Sequence, residues 1–336
     1  MKSTPSTSVI ILNWNGEKML RRYLPSVLAN TDSALGEVIV ADNGSSDRSL
    51  DMLAEDFPQV RVLRLDKNYG FAEGYNRAIS MVDTDYVVLL NSDVRPAEGW
   101  LAPLVEAMAD GTVGACQPKL LSDVEPEKFE YAGACGGFID KHGYPYCRGR
   151  IFDTVETDRG QYDAPMSVEW ASGAALMVRR DVYERVGGLD SAFFAHMEEI
   201  DLCWRIRRAG LAVKVVPSAA VYHLGGGTLP QGNPHKVYLN FRNNLLMLHK
   251  NLPKEVRRGR LFARRLYDTL AFGLFVAKRD WKSAAAVLHA HRDFRTMRRH
   301  YDTDADNDAG KRAAMPDNRN IILDYYLRGK KKYSDL

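Results

Sequence analysis

The sequence predicts an α/β fold built on a mostly parallel sheet, and two observations carry that prediction. Short apolar runs, Val9–Leu12, Val38–Ala41 and Tyr86–Leu90, alternate with segments of helical spacing. Strand and helix in repeated alternation require right-handed crossovers between parallel strands. In such sheets ligands collect beyond the carboxyl ends of the strands, and Asp42 and Asp93 both fall there.

The elements follow in order. Val9–Leu12 is the first strand. Glu17–Ala29 spaces Met19, Leu20, Tyr23, Leu24 and Val27 as a helix does. Val38–Ala41 is the second strand, ending at Asp42, and Asp47–Glu55 is a helix with Ser45 or Ser46 as its cap. Val60, Leu63 and Leu65 indicate a strand, Ala72–Met81 a helix, and Tyr86–Leu90 a buried strand closed by Asn91-Ser92-Asp93. Residues 122–165 are rich in Gly, Pro, Tyr and charge, and read as a long irregular insertion that covers the site. Val168–Val178 resumes a strand pattern. Asp181–Val186 is a short helix closed by Gly187-Gly188, and Glu198–Ala209 is a helix stopped by Gly210. Leu211–Val216 is a strand ended by Pro217. The pattern is helical from about Pro253, and residues 301–320 are polar and expected to be loose. This divides the chain into a domain over 1–250 and a basic helical extension with a loose tail over 251–336.

Composition narrows the class. The 336 residues are 45% hydrophobic and 26% charged, as in globular proteins. Cys116, Cys135, Cys147 and Cys203 form no Cys-x-x-Cys pair and read as reduced thiols of a cytoplasmic protein. The chain opens almost directly on a strand, without a signal-like segment, and no run approaches the ~20 apolar residues of a spanning helix. The net charge of +3 conceals an asymmetry. Residues 250–300 hold 14 Lys or Arg and 4 Asp or Glu, a net of +10, which leaves −7 for the rest. A basic region over 254–300, with Leu261, Phe262, Leu266, Leu270 and Leu274 among arginines, suits an anionic membrane face. The alternative is a hairpin that packs its apolar side on the core and keeps its arginines in water. Nucleic acid is not expected, because the basic region carries no aromatic platform.

Several residues carry chemistry. A carboxylate at a buried strand's end, as in Asn91-Ser92-Asp93, can anchor a hard cation that bridges two phosphates. An ordinary Asx turn would look the same. Asp42 can accept hydrogen bonds from a base or ribose, or simply close a turn. Asn68–Arg77 places Gly70 at a helix start, which favours phosphate, or else serves packing. The run lacks Gly-x-Gly-x-x-Gly and a P-loop Lys, which argues against a dinucleotide dehydrogenase and a P-loop kinase. His196–Asp201 sets three carboxylates at a helix start, where the helix dipole stabilises them. Neighbouring helical residues point ~100° apart, so Glu198 and Glu199 cannot both aim at one hydroxyl. His223, before Leu224-Gly225-Gly226-Gly227-Thr228, can reach a metal or a diphosphate. Arg242 can pair with phosphate oxygens or sit on a solvated helix face.

Taken in order, Ser8–Gly16, Val40–Asp47, Asn68–Arg77, Leu89–Val94, Gly173–Val178, Gly187–Asp190, Glu198–Arg205 and His223 with its glycines resemble one family. They look like the inverting family 2 glycosyltransferases of GT-A fold, in the rhamnosyltransferase-like branch of bacterial surface polysaccharide synthesis. The resemblance covers roughly residues 8–250. It implies that Asp42 contacts the nucleotide base of a UDP-, dTDP- or GDP-sugar, with Asn13 and Asn15 near the nucleotide. It implies that Asp93 ligates Mg2+ or Mn2+ with help from His223, and that the acidic pair supplies the base. Asn68, Gly70, Asn91 and Arg242 complete the donor side. The chain departs from the family pattern twice: Asn91 replaces the first Asp of Asp-x-Asp, and Glu199 replaces the Asp of a Glu-Asp pair. On this reading Glu199, with Glu198 as second choice, deprotonates a hydroxyl of a glycan or lipid-linked acceptor. The enzyme would work in the cytoplasm, at the inner membrane face. The rival readings are a nucleotidyltransferase and a degenerate binder of sugar nucleotide. The first lacks its basic loop, since no arginine follows the first strand until Arg21, and the second is favoured by Asn91.

Overall fold

The computed structural model describes residues 6–225, 233–301 and 308–336. The chain runs β1 (Thr7–Asn13), α1 (Glu17–Asn30), β2 (Glu37–Asn43), α2 (Ser49–Asp56), β3 (Arg61–Leu65), α3 (Gly70–Ser80) and β4 (Tyr86–Leu90). Residues 94–121, to which the sequence pattern assigns nothing, form β5 (Val94–Pro96), α4 (Leu101–Met108) and β6 (Val113–Ser122). The insertion contains β7 (Gly137–Ile139), β8 (Pro145–Cys147), β9 (Arg150–Ile151) and β10 (Thr154–Val155), which pair as a small antiparallel sheet rather than an irregular cover. Then come β11 (Met166–Val168), β12 (Ala175–Arg179), α5 (Arg180–Arg185), α6 (Glu198–Arg208) and β13 (Ala212–His223). The C-terminal part is α7 (Pro234–Asn251), α8 (Lys254–Ala277), α9 (Trp281–Met297), α10 (Asp308–Ala313) and α11 (Ile321–Tyr326).

The main sheet has the order β11-β13-β6-β12-β4-β1-β2-β3, with β5 attached to β13. From β4 to β3 all pairs are parallel. On the other side β12 runs antiparallel between β4 and β6, while β13 lies parallel to β6. Both faces are covered, which is why the strands read as unbroken apolar runs. Val9 and Ile11 face α1, α2 and α4, while Ile10 faces α3 and the side of α6.

Three elements differ from their sequence pattern. Val168–Val178 is two strands, because Glu169–Ala174 crosses from the sheet's edge to its centre. β13 continues through Pro217, because a register shift between Val216 and Ala220 removes the need for its amide. α2 is capped neither by Ser45 nor by Ser46; it follows Arg48, with Asp47 accepting from the Ser49 amide at 3.0 Å.

Within residues 301–320, expected to be loose, Ala314 is buried in the core, and the residues that follow pack on the small sheet. Ile321 and Tyr325 join Tyr146 and Ile151 in a buried cluster against the small sheet. The Asn320 side chain caps α11 by accepting from Leu323 N, and the Tyr325 and Thr154 hydroxyls meet at 2.8 Å. The four cysteines are buried and free. Among the described residues, no helix is long and apolar enough to cross a membrane.

Candidate active site

Parallel register brings the first group together. Asn13 ends β1 directly beside Asp42 of β2. The Asn13 amide donates to Asp42 at 3.0 Å and to the Ser45 hydroxyl at 3.2 Å. The second Asp42 oxygen accepts from Ser45 N at 2.9 Å. Asn15 is in the left-handed region at φ 50°, and its side-chain Oδ1 accepts from Ser46 N at 2.7 Å. Asn13, Asn15 and Asp42 therefore lock the loops after β1 and β2 to each other, and the buried Asn13 Oδ1 has no partner among the described residues.

The second group is held by the β5–β13 ladder, which pairs His223 with Val94. Asp93 precedes that pair, so its carboxylate lies 3.1 Å from His223 Nε2. The Asn91 amide nitrogen lies 3.4 Å from the same Nε2. On the other side of the ring, Nδ1 lies 3.4 Å from Glu130 Oε1. Burial alone would lower the His223 pKa, but bonds to Asp93 and Glu130 raise it to about 10. Burial pushes the Asp93 carboxyl up, yet His223 holds it below the ordinary carboxylate range.

Sequence reasoning did not find Glu130. It lies in the insertion, and only the bond from its amide to Leu120 O, 3.0 Å, places it under His223. Glycines follow His223 in the sequence. Gly226, Gly227 and Thr228 lie outside the described residues, while Gly225 passes directly over the Glu130 carboxylate.

The third group opens α6. Glu198 is buried and Glu199 half-buried, and Oε2 of each lacks a partner among the described residues. Burial raises the Glu198 pKa well above its usual value, and the neighbouring Glu199 charge adds to this. Burial raises Glu199 to about 7, against backbone amides that lower it. Asp201, one turn on, is also fully buried but paired: Arg205 at 2.8 Å, Lys250 at 3.0 Å and the Asn251 amide at 2.7 Å. Asp201 anchors the helix, and Glu198 and Glu199 remain to act. Gly173 lies beside Glu199: a Cβ there would make ordinary contact with Glu199 Cβ, at 3.5 Å. The next residue's carbonyl, Ala174 O, accepts from Asn91 N at 3.0 Å. A continuous path of contacts thus links the acidic helix start to the Asp93–His223 pair.

The loop entering α6 is strained. Phe194, His196 and Met197 all have positive φ, at 65°, 68° and 73°. Such residues cost of order 1–3 kcal/mol each and persist only where neighbours over-determine them. The Asn243 amide supplies that restraint, donating to Phe193 O, Ala195 O and His196 O at 2.9, 2.9 and 2.7 Å. Asn243 was also missed, since only the turn of α7 aims it inward.

Three residues expected on the donor side are engaged within the protein. Arg242 is buried and donates to Ala192 O and Phe193 O at 3.0 Å each, to Asn243 and to the Tyr238 hydroxyl; it clamps the loop instead of facing phosphate. The start of α3 is closed to phosphate, because Phe194 O accepts from Phe71 N and Ala72 N at 3.1 and 3.4 Å. Gly70, at φ 77°, has no side chain because the Phe194 ring lies over it, 2.7 Å from where a Cβ would be. Asn68 serves that loop too, accepting from Gly70 N at 2.8 Å and from the Asn43 amide at 3.1 Å.

Among the described residues, no three His, Cys, Asp or Glu side chains are grouped to hold a metal ion. Asp93 and His223 are a carboxylate and an imidazole that would hold a divalent ion once the ring gives up the proton it shares with Asp93. Adjacent ligands on one octahedral ion are separated by about 3 Å, close to the 3.1 Å seen here. One carboxylate and one imidazole are donors that Mg2+ or Mn2+ accepts.

Comparison with known proteins gives the family and the fold. The family model described as Glycosyl transferase family 2 matches residues 8–187. The N-acetylglucosaminyl-diphospho-decaprenol L-rhamnosyltransferase of Mycobacterium tuberculosis is 27% identical over 230 residues, 64% of this chain and 75% of that one. The structure of GalNAc-T7 with UDP, GalNAc and Mn2+ is similar at TM-score 0.58 and 16% identity, over 76% of this chain and 49% of that one. Mannosyltransferase PcManGT from Pyrobaculum calidifontis, in complex with GDP-Man and Mn2+, is similar at TM-score 0.53 and 16% identity, over 97% and 88%. These structural likenesses are of fold.

Proposed function

The chain belongs to glycosyl transferase family 2 and has the GT-A fold, and from that premise we propose the reaction its site performs. The enzyme moves a sugar from a UDP-, dTDP- or GDP-sugar to a hydroxyl of a glycan or lipid-linked saccharide, inverting the anomeric carbon. The observation that carries this reading is the path linking Asp93–His223 to Glu199 at the carboxyl edge of the sheet. Asp42 and Asn13, one strand away, offer a polar wall for the nucleotide.

Asp93 and His223 would hold the Mg2+ or Mn2+, which when bound supplies positive charge beside the leaving diphosphate. Glu199 does the proton chemistry. A carboxylate with a pKa raised to about 7 is ionised often enough to accept a proton and basic enough to take one from an alcohol. Its half-buried position keeps bulk water away from the proton it holds. Glu198, buried beside it and with its pKa pushed well above the usual carboxylate range by burial and by the Glu199 charge, is the second choice for that role. The named activity of the M. tuberculosis relative favours a lipid-linked acceptor, and with it work at the cytoplasmic face of a membrane in surface polysaccharide synthesis.

The test is release of nucleoside diphosphate from a panel of nucleotide sugars, with and without Mn2+. Metal-dependent release with at least one donor is expected. Failure of every nucleotide sugar to bind in calorimetry would overturn the reading.

A further inference from the structure

We propose that the outer face of α8, continued by the first residue of α9, is a docking surface for an anionic lipid bilayer. The observation is that α8 is amphipathic in the wrong sense. A helix on a globular protein turns its apolar stripe inward and its charges outward. In α8 the fully buried side chains are Arg264 and Asp268, an ion pair at 2.7 Å. Asp268 also meets His291 at 2.9 Å, and Arg264 donates to His142 O at 3.3 Å and to Asn244. Facing out are Phe262, Leu266, Leu270 and Leu274, at 63%, 55%, 65% and 63% exposure. A spacing of four residues keeps them on one slowly drifting stripe. After the turn, Trp281 follows at 64% exposure. The sequence left open whether this apolar side packs on the core; Leu261 does, while Phe262, Leu266, Leu270 and Leu274 face out.

Charge selects the occupant. Arg258, Arg265, Lys278 and Arg279 are exposed on or beside the stripe. Every carboxylate of residues 250–300 is engaged within the protein. Glu255 pairs with Arg312, Asp268 points inward, Asp280 caps α9 by accepting from Ser283 N, and Asp293 accepts from Tyr238 and Arg292. A stripe of leucines with cationic flanks and a terminal Trp matches a bilayer interface with negative headgroups. A second copy fits poorly, because a two-fold contact through the stripe sets like charges against each other. The helix lies on the bilayer and does not enter it, since no described helix is apolar enough to cross.

The experiment is sedimentation of the full chain with vesicles of phosphatidylcholine alone or enriched in phosphatidylglycerol. Expected is binding at least tenfold stronger to the anionic vesicles, weakening as salt is raised. The double variant Leu266→Gln/Leu270→Gln should lose tenfold or more with its Tm and nucleotide-sugar affinity unchanged. Arg258→Ser/Arg265→Ser should weaken binding by a similar factor. Equal binding to both vesicle types, or full binding by both variants, overturns the proposal. So does a dimer in solution that the leucine variant converts to monomer. Failure here leaves the transferase reading intact, because that reading is tested by nucleoside diphosphate release.

Discussion

Helices α6 and α8 both bury charge, and the contrast between them separates reactivity from architecture. In α8 the buried Arg264 and Asp268 satisfy each other. In α6, Asp201 is equally satisfied, while one turn earlier Glu198 and Glu199 each keep a buried oxygen without a partner among the described residues. A buried carboxylate with partners is held ionised, and Asp201 accordingly sits at about 2: burial opposes this, but Arg205 and Lys250 prevail. One without partners is pushed up and can exchange a proton near neutrality. α8 adds the converse lesson, since its unpartnered groups are apolar and point outward.

The largest expected effect breaks the contrast at its reactive end. Glu199→Gln should lower turnover by about 10²–10⁴-fold with little change in donor affinity. Full turnover in nucleoside diphosphate release would remove Glu199 as the base. Turnover of the unaltered enzyme should rise with pH and level off above about 7, as Glu199 ionises. At the architectural end, Asp268→Ala leaves Arg264 buried without its carboxylate and should cost about 3–5 kcal/mol in urea unfolding. A loss near zero would mean that the ion pair is dispensable.

Glu198→Gln sharpens the comparison from the opposite direction. Its folded pKa is raised, so the native state holds a proton that the unfolded chain releases above about 4.5. Stability tied to that proton is full at pH 4 and falls as pH rises through the folded value. The variant should therefore be more stable than the parent at pH 8, by about 1–3 kcal/mol, and nearly equal to it at pH 4. A lower Tm at pH 8 would show that Glu198 has a stabilising partner after all. Asn243→Ala, which frees the three carbonyls of the strained loop, should cost about 1–3 kcal/mol and slow turnover. The smallest effect belongs to the outer face of α8, where Leu270→Ser should shift stability by less than about 0.5 kcal/mol.

Much of this was legible from sequence, because it depends on local pattern. Strand ends place Asp42 and Asp93, and a helix start places Glu198 and Glu199. What escaped depends on tertiary contacts. Glu130 reaches His223 through a bond to β6 that no periodicity announces. Arg242 lies on a helix whose inward face is fixed only when α7 packs. Pro217 reads as a strand terminator unless the bulge beside it is known. The direction of the α8 stripe was likewise undecided, since a helix's pattern gives its two faces but not which one the core receives.

The contact between Asp93 and His223 spans 130 residues of sequence. Both side chains are aligned by one short ladder, whose second strand is among the last parts of the sheet to leave the ribosome. An emerging polypeptide can wind its first strands and helices long before that. Asp93 meets its histidine only once the far strand has docked, so that contact comes late in synthesis, and a fragment cut before residue 223 would keep Asp93 and the acidic helix start without the imidazole.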